Sequence, residues 1–359
     1  MYFLLKSLEY GGGELYFNQE VPIMKRKLAS VQIISNIQSI PNAEKIELAT
    51  VLGWHLVVAK DRYIVGDKVV YFETDSCVPH TDVYSDLEKT NYRVKTQKFL
   101  GQISQGYCLG LDVLGLDENL PIGTDVTALL GVTKYELPDE YNGAAYIIGY
   151  RPDYVTRSSE TRIQTLPELV NDYHGKRCVV TEKMDGTSSS FSLLDGEYQV
   201  FSHDNEVKDS DESCYGKISK KLDIESKLRK LGGDYVLQGE ICGPGICKNK
   251  YQFKDYEFFA FDIYDINTHT ALPYLDFIDL CGKMGIRTVP LITDNYILPN
   301  SIDEIVEFSK GQSTIRDTKR EGIVVRLYEP DSVFDYIKYE MDRFSFKVIN
   351  PEYSLKRGN

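Results

Sequence analysis

No two cysteines in this 359-residue chain stand at C-x-x-C spacing: there are seven, an odd number, irregularly placed, with only five histidines beside them. That pattern argues against a disulfide framework and a structural zinc site, and the simpler inference is a reducing compartment, cytoplasmic or otherwise intracellular. Long apolar runs are equally scarce. Met1 to Leu5 opens apolar, but Glu9, Glu14 and Glu20 break up the residues after it, so neither a secretory leader nor a membrane span is expected. An excess of positive charge is also missing. A net charge of -13 speaks against a protein that coats nucleic acid by bulk electrostatics, while leaving room for a local basic groove.

What is present is an ordinary globular composition, 42% hydrophobic and 26% charged, long enough for two cores. Gly11-Gly12-Gly13 marks residues 1–24 as a flexible extension, with folding expected from about residue 25. From there to residue 133 short β runs separated by Gly, Asn and Asp predict a small barrel of the OB type: Ala29 to Ile34, Ile46 to Val51, His55 to Ala59, Lys68 to Phe72 and Gly106 to Gly110. Glu73 and Asp75 fall on its rim, where a carboxylate is ordinarily solvated. Pro138, Pro152, Gly143 and Gly149 make 134–159 a connector. Beyond it, over 160–359, strands outnumber helices and βα alternation is absent, so the fold class is α+β: an N-terminal OB-like β-barrel, then an antiparallel-sheet domain. Helices are predicted over Leu222 to Leu231, Tyr274 to Met284 and, from the capping box Ser301-Ile302-Asp303-Glu304, to about Lys310. The basic clusters around Arg93 and Lys217 to Lys230 have acids nearby, as solvated faces do.

The second region carries Thr181-Glu182-Lys183-Met184-Asp185-Gly186-Thr187-Ser188. A Lys-x-Asp-Gly alone is weak, expected by chance about one time in ten at this length. Four further blocks come after it in order: Gln238-Gly239-Glu240 running into Gly243-Pro244-Gly245, then Phe258 to Ile263, Glu321 to Arg326, and Phe344 to Ile349. Their joint order carries the argument. A nucleophilic Lys183 must lose a proton, and since a free lysine has only about one neutral copy in 2,500 at pH 7, lowering its pKa by three units takes about 4 kcal/mol. Lys347 and a divalent cation would supply the positive charge that does this. Asp185, Glu240 and Glu321 are the acids expected around that cation, acting through its waters. Individually each also reads as a turn or strand-edge residue. Phe261 offers a face for a purine, although an isolated aromatic in a strand is more often core, and Asp262 beside it would orient a base or a lysine. Gly243-Pro244-Gly245 lacks the phosphate-loop pattern and reads as a turn; His203, Asp209 and Asp211 lack metal-ligand spacing.

Taken together, these blocks resemble the covalent nucleotidyltransferases, and within them the ATP-dependent RNA ligases with an OB domain ahead of the catalytic domain. Gln238 to Asn249 is especially similar to the RNA ligase version of its motif, and Arg162 to Leu169 resembles the segment that contacts the adenylate phosphate, here through Arg162. The resemblance implies catalytic Lys183 and Lys347; ATP or AMP contacts from Arg162, Glu182, Asp185, Gly186, Glu240, Phe261, Asp262, Glu321 and Lys347; and Mg2+ or Mn2+ near Asp185, Glu240 and Glu321. It further implies AMP transfer from Lys183 to an RNA 5′-phosphate and closure by a 3′-OH, at nicks whose 3′-OH strand is RNA, by a monomer free of membranes. Only twelve residues follow Lys347, which disfavours DNA ligases and capping enzymes with a trailing OB domain. The chain departs from the family at Ser202-His203-Asp204, where Ser-Arg-Asn is usual, and at Ser345, where a lysine is often found. A nucleic-acid-binding module with an inactive core is the rival of another class.

Overall fold

The computed structural model describes residues 2–8, 15–21, 26–135, 146–156, 158–331 and 334–357. In the N-terminal segment read as a flexible extension, Tyr2–Leu8 pairs antiparallel with Leu15–Val21, a correction confined to those two stretches. The glycine run between them lies outside the described residues.

The first unit is a five-stranded antiparallel sheet of β1 (Ala29–Ser39), β2 (Ile46–Val51), β3 (Trp54–Ala59), β4 (Lys68–Phe72) and β5 (Tyr107–Gly110), in the order β5-β4-β1-β2-β3. Val31, Val70 and Phe72 are buried in one core while Ile34, Trp54 and Leu56 fill a neighbouring one, and β4 serves both, Val69 and Tyr71 lying in the second. A register shift between Ile34 and Asn36 lets the long β1 bend and serve both halves. The result is a curled half-barrel sheet, in keeping with the small OB-type barrel expected. Its edges are drawn together where Gln105 N donates to His55 O at 2.8 Å and Val57 N to Ser104 Oγ at 3.0 Å.

The second unit packs two sheets. One has seven strands: β6 (Ile147–Tyr150), β9 (Thr187–Leu194), β10 (Glu197–Phe201), β11 (Asn205–Val207), β12 (Tyr235–Cys242), β13 (Glu257–Asp265) and β14 (Thr270–Ala271), ordered β6-β11-β10-β9-β12-β13-β14. The other has five: β7 (Thr161–Arg162), β8 (Arg177–Lys183), β15 (Leu291–Ile297), β16 (Gly322–Leu327) and β17 (Ser345–Ile349), ordered β7-β17-β16-β8-β15. All pairings are antiparallel except β7 with β17. The stretch Ile147–Tyr150, read as connector, is corrected to an edge strand; Arg151 secures it by donating to Ser202 O at 3.1 Å and His203 O at 2.9 Å.

Seven α-helices are described: α1 (Pro167–Tyr173), α2 (Cys214–Lys221), α3 (Ile224–Leu231), α4 (Tyr274–Met284), α5 (Ile302–Ser309), α6 (Tyr336–Tyr339) and α7 (Pro351–Arg357). Helices α3 and α4 stop at Gly232 and Gly285, both left-handed, as their glycines foretell. Ser301 caps α5, its Oγ accepting from Glu304 N. No described helix is long and apolar enough to cross a membrane.

The two units meet at the β2–β3 turn. Gly53 N donates to Gln164 O at 2.8 Å, and His55 Nε2 lies 2.8 Å from Asp303 Oδ1. A Cβ on Gly53 would come within 2.6 Å of Ile302 Cδ1 and 3.0 Å of Gln164 Cα. Gly53→Val is therefore expected to cost about 1–3 kcal/mol through overpacking, read as a lower Tm in a thermal melt; an unchanged Tm would refute this seat between the units.

Candidate active site

Strand β8 belongs to the five-stranded sheet and β9 to the seven-stranded one, so Met184-Asp185-Gly186 is the turn by which the chain crosses between them. Lys183, at the end of β8, opens into the cleft with its side chain 25% exposed. Glu321, just ahead of β16, reaches it from within the same sheet, Oε2 lying 3.0 Å from Lys183 Nζ. Glu240, on β12, comes from the opposite sheet and accepts the Gly186 amide through Oε1 at 3.0 Å. The turn needs glycine, because a Cβ at 186 would sit 2.3 Å from Ile241 O and 2.8 Å from Glu240 Cγ.

These acids set the protonation of the lysine. Burial pushes its pKa down, but Glu321, Glu240 and Asp185 outweigh burial and hold the Lys183 ammonium above the ordinary lysine value. The expected positive neighbour is nevertheless in the cleft. Lys347 is pushed down to about 7, first by burial and then by the charges of Lys183, Arg162 and Arg26. Glu240 is pushed up to about 8 by burial, with Glu321 and Asp185 adding to the rise and Lys183 opposing it.

Arg162 faces Lys347 across the parallel β7–β17 pair. Its Nη1 donates to Thr74 Oγ1 at 2.6 Å, and its Nη2 is 3.7 Å from Asp75 Oδ2. The half-barrel rim thus turns toward Arg162 and Lys347, and its acids are engaged: Glu73 with Arg26 at 2.5 Å, Asp75 with Arg93 at 2.6 Å. Phe261 falls at a register shift in which Gln238 opposes Asp262 and Gly239 opposes Ala260, a bulge that re-aims the ring. Its carbonyl accepts from Arg326 Nη1 at 2.7 Å. Asp262, beside it on the strand, pairs with Arg343 and lies 3.6 Å from Arg326. Glu182 is buried, its Oε2 accepting from Thr314 N at 2.8 Å and Thr314 Oγ1 at 2.9 Å, while Oε1 has no hydrogen-bond partner among the described residues.

Several features escaped sequence reasoning. Arg326, opposite Ser345 in the β16–β17 register, donates through Nε to Ser345 Oγ at 3.2 Å, bringing a cation to the place where a lysine is missing. His203 contacts Ser159 Oγ and Asp204, and burial lowers its pKa against the pull of Asp204. Asp209 accepts from Ser219 Oγ and Asp211 pairs with Lys220, both outside the cleft chemistry. Lys221 and Arg229 are likewise ion-paired on the surface.

A divalent cation suits this donor set in one way. Among the described residues, no group of three or more His, Cys, Asp or Glu side chains is arranged to ligate a metal directly. Three hard carboxylates acting on one ammonium from two sheets match a hydrated ion held through its waters.

A model of the RNA ligase family matches residues 176–349, and an OB-fold domain model matches 28–111. Solved structures of a Naegleria gruberi RNA ligase are similar over nearly all of both chains. A mutant solved with AMP and Mn is 30% identical, covering 92% of this chain and 99% of that one, TM-score 0.84. A mutant with ATP and Mn is 28% identical, covering 93% and 100%, TM-score 0.85. The enzyme with PPi is 29% identical, covering 92% and 99%, TM-score 0.84. An uncharacterized protein of Methanocaldococcus jannaschii is 26% identical over 187 residues, 50% of this chain, which spans only 44% of that relative's length.

The Glu240 shift has a consequence for the nucleotide-free, metal-free protein. A carboxyl whose folded pKa is raised stabilises the fold fully below its unfolded value, near 4.5, and loses that contribution as pH rises toward 8. Glu240→Gln should therefore flatten the fall in Tm between those pH values; a melt series in chelator with identical slopes for both proteins would contradict it.

Proposed function

We propose that this chain, which belongs to the RNA ligase family, the ATP-dependent class with an OB domain before the catalytic one, joins a 3′-OH to a 5′-phosphate at nicks whose 3′-OH strand is RNA. The observation that carries the reading is Lys183 seated among Glu321, Glu240 and Asp185 with Lys347 close by.

In the first step neutral Lys183 Nζ attacks the ATP α-phosphorus, forming a phosphoramidate as the bond to the pyrophosphate oxygen breaks. The lysine proton passes to solvent. AMP then moves to the RNA 5′-phosphate, and the 3′-OH displaces AMP to leave a phosphodiester. Each transfer depends on positioning and charge neutralisation. Asp185, Glu240 and Glu321, the acids that keep Lys183 protonated, would hold a divalent cation through its waters, and such an ion would supply charge neutralisation to them and to the α-phosphate. Lys347 and Arg162, side by side on paired strands, supply the remaining positive charge toward the phosphates. Phe261 stacks on the base.

The orphaned Glu182 Oε1 favours ATP over GTP: an acceptor-only carboxylate matches the adenine amino group and repels a guanine carbonyl. Glu182→Gln should narrow the preference for ATP by about tenfold or more, measured as AMP or GMP incorporation; an unaltered ratio would remove Glu182 from base selection. The substrate reading is tested with nicked duplexes bearing RNA or DNA at the 3′-OH strand. Sealing that requires RNA there supports it, and equal sealing of an all-DNA nick would move the chain toward DNA repair. The segments 25–133, as OB module, and 160–359, as catalytic unit, are proposed to work as a single-chain monomer on RNA ends.

A further inference from the structure

Helix α7 follows the last strand and brings Tyr353 back to the nucleophile's turn. Tyr353 Oη hydrogen-bonds Asp185 Oδ2, while the Asp185 amide donates to Tyr251 Oη at 3.0 Å. Above these rings lies Lys250, with Nζ 4.0 Å from the Tyr353 centroid and 5.1 Å from that of Tyr251. That ammonium nitrogen is buried and has no hydrogen-bond partner among the described residues. The helix is fixed to the strand of Glu321: Asn350 N donates to Glu321 O at 2.8 Å, Asn350 Nδ2 to Arg320 O at 3.1 Å, and Asn350 Oδ1 accepts from Glu352 N at 3.0 Å.

We propose that Tyr353 and Lys250 are positioning residues for the Asp185 carboxylate. A phenol donor on Oδ2 sets the rotation of the carboxylate and holds it off Lys183, so that Glu321 makes the close ion pair and Asp185 stays turned toward the cation's waters. An ammonium over the ring face is attracted by the π-electrons and polarises the phenol toward stronger donation. Lys250 thus acts on Asp185 through Tyr353. The inference rests on reading Asp185 as an indirect metal ligand in lysine adenylylation.

Mn2+ is titrated into the nucleotide-free full chain by calorimetry, and AMP transfer to the protein is followed against Mg2+ concentration. Tyr353→Phe, which keeps the ring, should weaken Mn2+ binding about tenfold and raise the Mg2+ half-saturation similarly, with half-saturation by ATP unchanged within about twofold. Lys250→Met should shift both metal readouts in the same direction by less, and Lys250→Arg should restore them. Lys250→Met carries the test if Tyr353→Phe does not fold. Unchanged metal readouts in folded variants would overturn the inference, as would a wild-type protein that binds no Mn2+ without nucleotide. If wild type binds Mn2+ but takes up no AMP, the ligase reading falls while the titration still decides the positioning.

Discussion

The ion pair between Lys183 and Glu321 is the constraint around which the cleft is arranged. A nucleophilic amine has to be neutral, yet the resting site holds it as an ammonium with acids drawn from both sheets. The same acids that suppress the lysine are the ones available to a hydrated cation. On the proposed reading, chemistry and ligand arrival are coupled: whatever occupies the carboxylates would also release the amine. Glycine at 186 is the steric condition for this, since any side chain there would push Glu240 and the Ile241 carbonyl away from the turn.

Around that core the second layer is cationic. Arg162 and Lys347 share a strand register, Arg162 is braced by Thr74 and Asp75 of the half-barrel, and Arg93 and Arg26 balance the rim acids. The half-barrel is thus part of the electrostatic frame of the cleft. Its rim touches the residue that stands beside Lys347, so a displacement of one unit would change the field at Lys347. On the far side, Arg326 and Arg343 lock Asp262 and the Phe261 carbonyl, which keeps the bulged ring in place.

Much of this was legible in the sequence because the signals were local. The short β runs punctuated by Gly, Asn and Asp, the glycine stops of α3 and α4 and the cap at Ser301 each depend on residues within a few positions of one another. The order of the five motif blocks located Lys183, Glu240, Glu321, Phe261 and Lys347. What the sequence concealed depends on distant pairings. Nothing near Asp185 announces Tyr353, 168 positions later, and Lys250 sits in a turn whose glycines drew attention instead. The short helices α1 and α7 have too few turns for a clear apolar period. The arginine pairs of Asp262 were hidden by distance along the chain, since Arg343 approaches from just ahead of β17 and Arg326 from β16. The missing lysine at Ser345 looked like a loss until the cross-strand register placed Arg326 opposite it.

The measurement that bears most directly on the central claim is peptide mapping of the protein after reaction with α-labelled ATP and Mg2+, with Lys183→Ala alongside. The account predicts one AMP adduct, acid-labile as a phosphoramidate should be, on the peptide containing Lys183, and none in the variant. An adduct on Lys347 or Lys250, or equal labelling of Lys183→Ala, would contradict it.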